Sequence, residues 1–258
     1  MSGSLAVRIE HRGAALVARL TIERAAKLNS LDSPTLEAIA REVRALPGEV
    51  RAVVLTGAGA RAFAGGANLD ELAALDPVTA REFITRVHQA CAALRDHPVP
   101  VLARVNGFCL GAGLELAAAC DLRIAAANAA FGMPEVRLGI PSVVEAALLP
   151  RLVGAGRARW LVLTGENIDA AQALAWGLVE RVVPAARLDA AVDAALDALL
   201  AAGDAALRAQ KRLCKLWEEA PLDDCVRVSI VEFASAYAGE EPRAMLGEFL
   251  AAKSRKKR

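Results

Sequence analysis

An α/β core followed by a helical C-terminal region is predicted by three features of this 258-residue chain. Short apolar runs rich in Val, Ile and Leu alternate with segments of helical periodicity through most of the sequence. Glycine-rich turns join these segments in the first half. From Ala185 onward, alanine, leucine and charged residues leave almost nothing but helix. The expected division is residues 1–199 for the core and 200–258 for the helical region.

In LAVRIEHRGAALVARL, alternating Leu5, Val7 and Ile9, a turn at Gly13 and a second apolar run to Leu20 predict a hairpin. After the loop ERAAKLNSLD, Ser33 as cap and Pro34 as first helical residue open a helix with Leu36, Ile39, Val43 and Leu46 on one face. VRAVVLTG is a buried strand by its length and β-branched content. GAGARA, with Asp76 downstream, has part of a dinucleotide-binding pattern. Ala62 occupies its last glycine position, however, and FAGGA does not continue as helix. FAGGANLDEL instead allows close backbone approach at Gly65 and Gly66 and opens a short helix at Ala67 or Asn68. TAREFITRVHQACAALRDH is an amphipathic helix, and PVPVLARVNGF supplies the next strand. His88 and His97 have no acid or thiol at a motif spacing, and no GxSxG supports a serine-hydrolase elbow. GIPSVVEAALLPRLVGAGRARWLVLTG predicts a loop and two helical pieces, and ENIDAAQALAWGLVERVVP a short helix and a strand.

The chain is organised around residues 106–135, NGFCLGAGLELAAACDLRIAAANAAFGMPE. Gly111, Ala112 and Gly113 turn sharply into a helix too apolar to be exposed, and Glu115 lies in its first turn. The unpaired N–H groups of such a helix start suit an oxyanion as well as an acidic side chain. Glu135 follows Pro134 on a rigid loop beside the same helix. Two readings are open at this point: one site holding both acids, or a first-turn helix acid and a solvated loop acid.

Formal charge is +1, and KSRKKR at the end is the single basic block, read as a solvated tail, which argues against an extended nucleic-acid surface. No run of 18 apolar residues suggests a membrane span, and MSGSLAVRIEHRG lacks the apolar core of a signal peptide. Cys91, Cys109, Cys120, Cys214 and Cys225 are odd in number without CxxC spacing, which points to reduced thiols, no metal site and a cytoplasmic protein.

The segments KLNSLD, AVVLTGAGARAFAGGANLDEL, NGFCLGAGLELAAACDLRIAA, FGMPEVRLGIP and LTGENIDAAQALAWGLVERVVP follow one another in an order and spacing that resemble the crotonase (enoyl-CoA hydratase/isomerase) superfamily. The resemblance covers nearly the whole chain. It implies a spiral of ββα units with a C-terminal helical region that builds homotrimers, often paired into hexamers. It also implies an acyl-CoA thioester whose carbonyl oxygen is held by two backbone N–H groups, here those of Ala67 and Ala112. Many relatives have glycine at the second position; alanine keeps the N–H. Hydratases of the superfamily carry both acids, which places Glu115 as the base that takes a proton from water and Glu135 as the acid that protonates Cα; the nearby helix start favours an ionised Glu115, while desolvation pulls the pKa of both acids upward. Coenzyme A then enters as part of the substrate, with no permanently bound cofactor, and fatty-acid oxidation is the default setting. The matching coenzyme A loops contain Lys27, Leu28, Ser30, Ala67, Asn68, Leu69 and Asp70, of which Leu28 and Leu69 read equally as packing residues. Phe249 and Lys253 match residues that reach a neighbouring subunit's coenzyme A, at a spacing one residue longer.

One departure is marked. A glycine-rich segment follows the second acid in typical hydratases; here it reads PSVVEAALLP. The expected substrate pocket holds Gly111, Gly113, Pro141, Ser142 and Glu145, with Glu145 either a third acid in the pocket or a first-turn helix acid. Isomerisation, decarboxylation or thioester hydrolysis can reuse the same oxyanion site. A noncatalytic or RNA-binding relative is the contrasting possibility, against which no lysine-rich helix face is present.

Overall fold

The computed structural model describes residues 4–255, so the first three residues and the end of the basic tail lie outside the description. The chain divides into two compact units between Leu196 and Asp197.

The hairpin forms from β1 (Leu5–Arg12) and β2 (Ala15–Ile22), antiparallel, with Leu5 opposite Ile22. Helix α1 (Ser33–Arg44) is capped one residue earlier than expected: Asp32 accepts from the Thr35 N–H, and Ser33 is the first helical residue. Ser33 instead donates to Glu71, tying α1 to the single helical turn that follows β4. Next come β3 (Val50–Gly57), β4 (Ala62–Ala64), the single turn α2 (Leu69–Leu72) and the long α3 (Pro77–Asp96), capped by Asp76. A second ββα repeat follows with β5 (Val101–Val105), β6 (Phe108–Leu110) and α4 (Ala112–Ala118). A third begins with β7 (Leu122–Ala126) and β8 (Ala130–Gly132), but continues into two 3-10 turns, Pro134–Leu138 and Val144–Leu148. Helices α5 (Leu149–Val153) and α6 (Ala155–Thr164), strand β9 (Ile168–Asp169), helix α7 (Ala170–Trp176) and strand β10 (Arg181–Val183) lead to α8 (Leu188–Leu200).

Successive strands feed two sheets. The larger has the order β1-β2-β3-β5-β7-β10 and is parallel from β2 onward; the smaller is β4-β6-β8-β9. Each ββα unit therefore adds one strand to each sheet before its helix returns, which is how three short repeats wind into a spiral. The inner strands β3, β5 and β7 of the large sheet are covered on both faces, so they read as continuous apolar runs: in VRAVVLTG all but Arg51 and Thr56 are buried. Two asparagines secure the corner between β3 and β4. Asn106 donates to the carbonyls of Gly57, Gly59 and Ala62 at 3.0, 2.7 and 3.0 Å, and fully buried Asn29 donates to those of Ala58 and Ala62 at 3.0 and 2.8 Å. Unpaired carbonyls at so tight a turn would be costly, and these side chains satisfy them.

The second unit consists of the end of α8 with α9 (Asp204–Glu219), α10 (Leu222–Ala236) and α11 (Glu241–Arg255). Cys225 is buried, but Leu222, Val226, Ile230 and Phe233 leave an apolar stripe of α10 exposed at helical spacing. Among the described residues, no helix is long and apolar enough to cross a membrane.

Candidate active site

Two backbone turns and two carboxyls meet at one cavity. The first turn, Gly65–Asn68, is braced by the loop before α1: the Leu28 carbonyl accepts from Gly65 N–H, Leu31 N–H donates to the Gly66 carbonyl, and Asn68 N–H donates to the Leu31 carbonyl, each at 2.8 Å. Leu28 and Asn29 adopt left-handed φ of 54° and 53° to make this fit. The bridge uses Gly66 and Asn68, which leaves the Ala67 N–H outside the ladder.

The second turn is Gly111, with φ 50° and ψ −125°, at the start of α4. As the first helical residue, Ala112 has an N–H without an intrahelical partner. The two turns lie against each other: a Cβ built on Gly111 would sit 3.9 Å from Gly66 Cα and 2.3 Å from Glu135 Oε1. A glycine at 111 therefore lets Glu135 approach the two turns.

Glu115, 4% exposed, accepts the Ala146 N–H at 3.0 Å through Oε1. Burial pushes its pKa up to about 8; the Ala146 hydrogen bond opposes this, and the charges of Glu135 and Glu145 add to it. Of the two opposing influences expected at Glu115, desolvation outweighs the dipole of a seven-residue helix, so the helix start does not keep it ionised. Glu135 stands in the 3-10 turn Pro134–Leu138 and accepts from Ser142 Oγ at 2.8 Å through Oε2. Burial raises its pKa as well, while the Ser142 hydrogen bond works in the opposite direction.

The cavity encloses about 750 Å³. Ala67, Gly111, Ala112, Glu115, Glu135 and Ser142 form its polar centre, Asp76, Arg81 and Arg137 add charged groups to the lining, and Pro141 and Leu69 also line it. Leu72, Phe83, Ile84 and Val87 of α2 and α3 make an apolar stretch of its other wall.

Other expected residues fall elsewhere. Gly113 does not line the cavity; a Cβ there would be 2.3 Å from the Ala64 carbonyl oxygen, so this glycine seats α4 against β4. Glu145 does not line it either: it is buried behind Glu115 and pairs with His88 Nδ1 at 2.7 Å. Of the two alternatives for Glu145 the first-turn one fits: it stands in the first turn of the 3-10 helix Val144–Leu148, buried and outside the cavity lining. His88 lies 57 residues away in sequence, so no local spacing signals the pair. Lys27, Leu28, Ser30, Asn68 and Asp70 are also absent from the lining. Lys27 and Asp70 form an exposed ion pair at 3.0 Å, and Asn68 caps α2 by accepting from Glu71 N–H. Among the described residues, no cluster of three His, Cys, Asp or Glu side chains is placed to hold a metal ion.

A two-sheet ββα spiral with twin glycine turns over two carboxyls defines a crotonase-type protein. The chain belongs to the enoyl-CoA hydratase/isomerase family, whose sequence profile matches residues 12–234. It is 34% identical over 237 residues to a short-chain-enoyl-CoA hydratase from Clostridium acetobutylicum and 35% identical over 237 residues to a crotonyl-CoA hydratase from Syntrophomonas wolfei, covering 91% of each chain in both cases. The solved enoyl-CoA hydratase from Bacillus anthracis superposes with a TM-score of 0.90 at 30% identity, over 95% of this chain and 96% of that one.

Proposed function

We propose that this protein adds water across the double bond of a 2-enoyl-CoA thioester. The observation that carries this reading is the convergence of Glu115 and Glu135 on one cavity with the Gly66 and Gly111 turns. The Ala67 and Ala112 N–H groups receive the thioester oxygen as it gains enolate charge when water adds to Cβ. Glu115 takes the proton from water and Glu135 delivers one to Cα. Between them the two carboxyls hold one proton, which rests on Glu115, where burial is deeper. Hydration with Glu115 as base draws on the tautomer in which that proton has moved to Glu135. This is acid–base chemistry, so coenzyme A enters as part of the substrate and no resident cofactor takes part. The hydratase names of the relatives support the same reading.

The test is turnover of crotonyl-CoA and a panel of longer and branched 2-enoyl-CoA esters, followed by loss of the conjugated thioester. Hydration of any ester supports the reading. Allylic isomerisation or thioester hydrolysis in its place would show that the PSVVEA segment has redirected the site.

Homotrimer or hexamer formation belongs to the same proposal, and the exposed stripe on α10 supports it. Light scattering after size exclusion is expected to give three or six times the 27.0 kDa chain mass, and Ile230→Asp with Phe233→Asp to lower it. In such an assembly Phe249 and Lys253 of α11 are the candidates to approach a neighbour's coenzyme A. Lys27, Leu28, Ser30, Ala67, Asn68, Leu69 and Asp70 remain the proposed coenzyme A loops of one subunit. The unbridged cysteines fit a cytoplasmic setting.

A further inference from the structure

Glu145 is a buried acid that the proposed reaction does not use. It is 8% exposed, and its Oε2 is enclosed without a hydrogen-bond partner. Such an atom is destabilising in itself. Its other oxygen pairs with His88 Nδ1 at 2.7 Å, and the His88 side chain is 56% exposed. The 3-10 turn that carries Glu145, Val144–Leu148, packs on both α3 and α4, so the pair fastens the turn to α3. One residue before, Val144 has φ 38°, a left-handed conformation that a β-branched residue rarely adopts. One residue after, the Ala146 N–H makes the 3.0 Å hydrogen bond to Glu115. Strain, an unpartnered oxygen and a long-range clamp thus all converge on the residue next to the donor that holds Glu115.

We propose that Glu145, held by His88, is a positioning residue for Glu115: it fixes the turn that delivers the Ala146 N–H and places a third carboxyl beside the catalytic pair. The inference rests on the hydratase reading above. The titratable groups that face Glu145 are His88 and Cys91 on α3 and Glu115 on α4. Its charge acts on two of them. Cys91 is driven well above the ordinary thiol range, by burial first and then by Glu145, and Glu115 is raised by burial with smaller additions from Glu135 and Glu145. Moving the turn would remove from Glu115 the one hydrogen bond that opposes those effects.

The experiment compares Glu145→Gln, His88→Leu and His88→Gln in the full chain. It follows kcat/KM against pH and, separately, the ionisation of Glu115 by its carboxyl band in difference infrared spectra assigned with Glu115→Gln. Glu145→Gln keeps the shape and an acceptor for His88 but removes the charge, so the Glu115 titration and the alkaline limb are expected to move to lower pH together. His88→Leu releases the turn, and misplacement of the catalytic group is expected to lower kcat by up to ~10²-fold with little change in KM. His88→Gln can still donate to Glu145 and is expected to recover most of that loss. An unmoved Glu115 titration in Glu145→Gln, or wild-type kcat in His88→Leu, overturns the proposal. Because His88 is half exposed, its variants decide the matter even if Glu145→Gln does not fold. Failure of the hydratase reading has a different signature: wild type would turn over no 2-enoyl-CoA, while the infrared titration would still report whether Glu145 acts on Glu115.

Discussion

Glu115→Gln is expected to lower kcat for 2-enoyl-CoA hydration by ~10²- to 10⁴-fold, and Glu135→Gln by a similar factor, with the thermal midpoint nearly unchanged. Glutamine keeps the volume of each side chain, and at 115 it keeps an acceptor for the Ala146 N–H, so what is lost is the ability to carry a proton. Replacing Glu115 also removes a group that burial has made reluctant to ionise, which is why the loss should appear in the rate and not in stability. The pH profile of the wild type tests the same assignment. The working pair holds one proton on two carboxyls. Raising the pH through about 8 takes that proton from Glu115, so kcat/KM should fall above about pH 8. Lowering the pH adds a second proton at Glu135, whose pKa lies above the ordinary carboxylate value, so activity should also fall on the acid side. Hydration takes up no net proton. The profiles for hydration and for the reverse dehydration should therefore share both limbs, and a rate that keeps rising above pH 8 would remove Glu115 from the proton path.

Much of this site was legible in the chain because its parts are local. A glycine turn into an apolar helix marked Glu115, and a proline before Glu135 marked the second acid, without knowledge of what lay beside them. Their shared cavity follows from the spiral. Strands β4, β6 and β8 are only three residues each, AFA, FCL and AFG, too short for periodicity to separate them from loops, so the second sheet stayed hidden. Asn29 and Asn106 were equally silent, since the carbonyls they satisfy exist only once the corner has formed. The balance at Glu115 was illegible for a related reason: a helix start and an apolar helix are visible in sequence, but how far burial outweighs the helix start is a property of everything packed around the residue. The role of Gly113 was shifted from the pocket to helix seating by its contact with Ala64, which lies on strand β4.

Ala112→Pro is expected to cost ~10²- to 10³-fold in kcat, the loss typical of one oxyanion donor. The substitution tests the backbone directly because it falls on the first residue of α4. There proline is tolerated, for the N–H it removes has no intrahelical partner and its fixed φ suits the helix. Proline also restricts the residue before it to extended backbone. That residue is Gly111, whose φ of 50° and ψ of −125° are the mirror image of the extended region, open to glycine because it lacks a Cβ. The helix should therefore survive with its donor deleted. Ala112→Gly is the matching control, since it keeps the N–H and removes one methyl group. Retention of near-wild-type kcat by Ala112→Gly, with collapse in Ala112→Pro at an unchanged thermal midpoint, assigns the loss to the missing N–H. If Ala112→Pro remains active, the enolate is stabilised elsewhere and the turn at Gly111 serves only to admit Glu135. The paired variants thus separate two functions that one glycine-alanine step combines: letting a carboxyl approach and presenting a hydrogen-bond donor to the thioester oxygen.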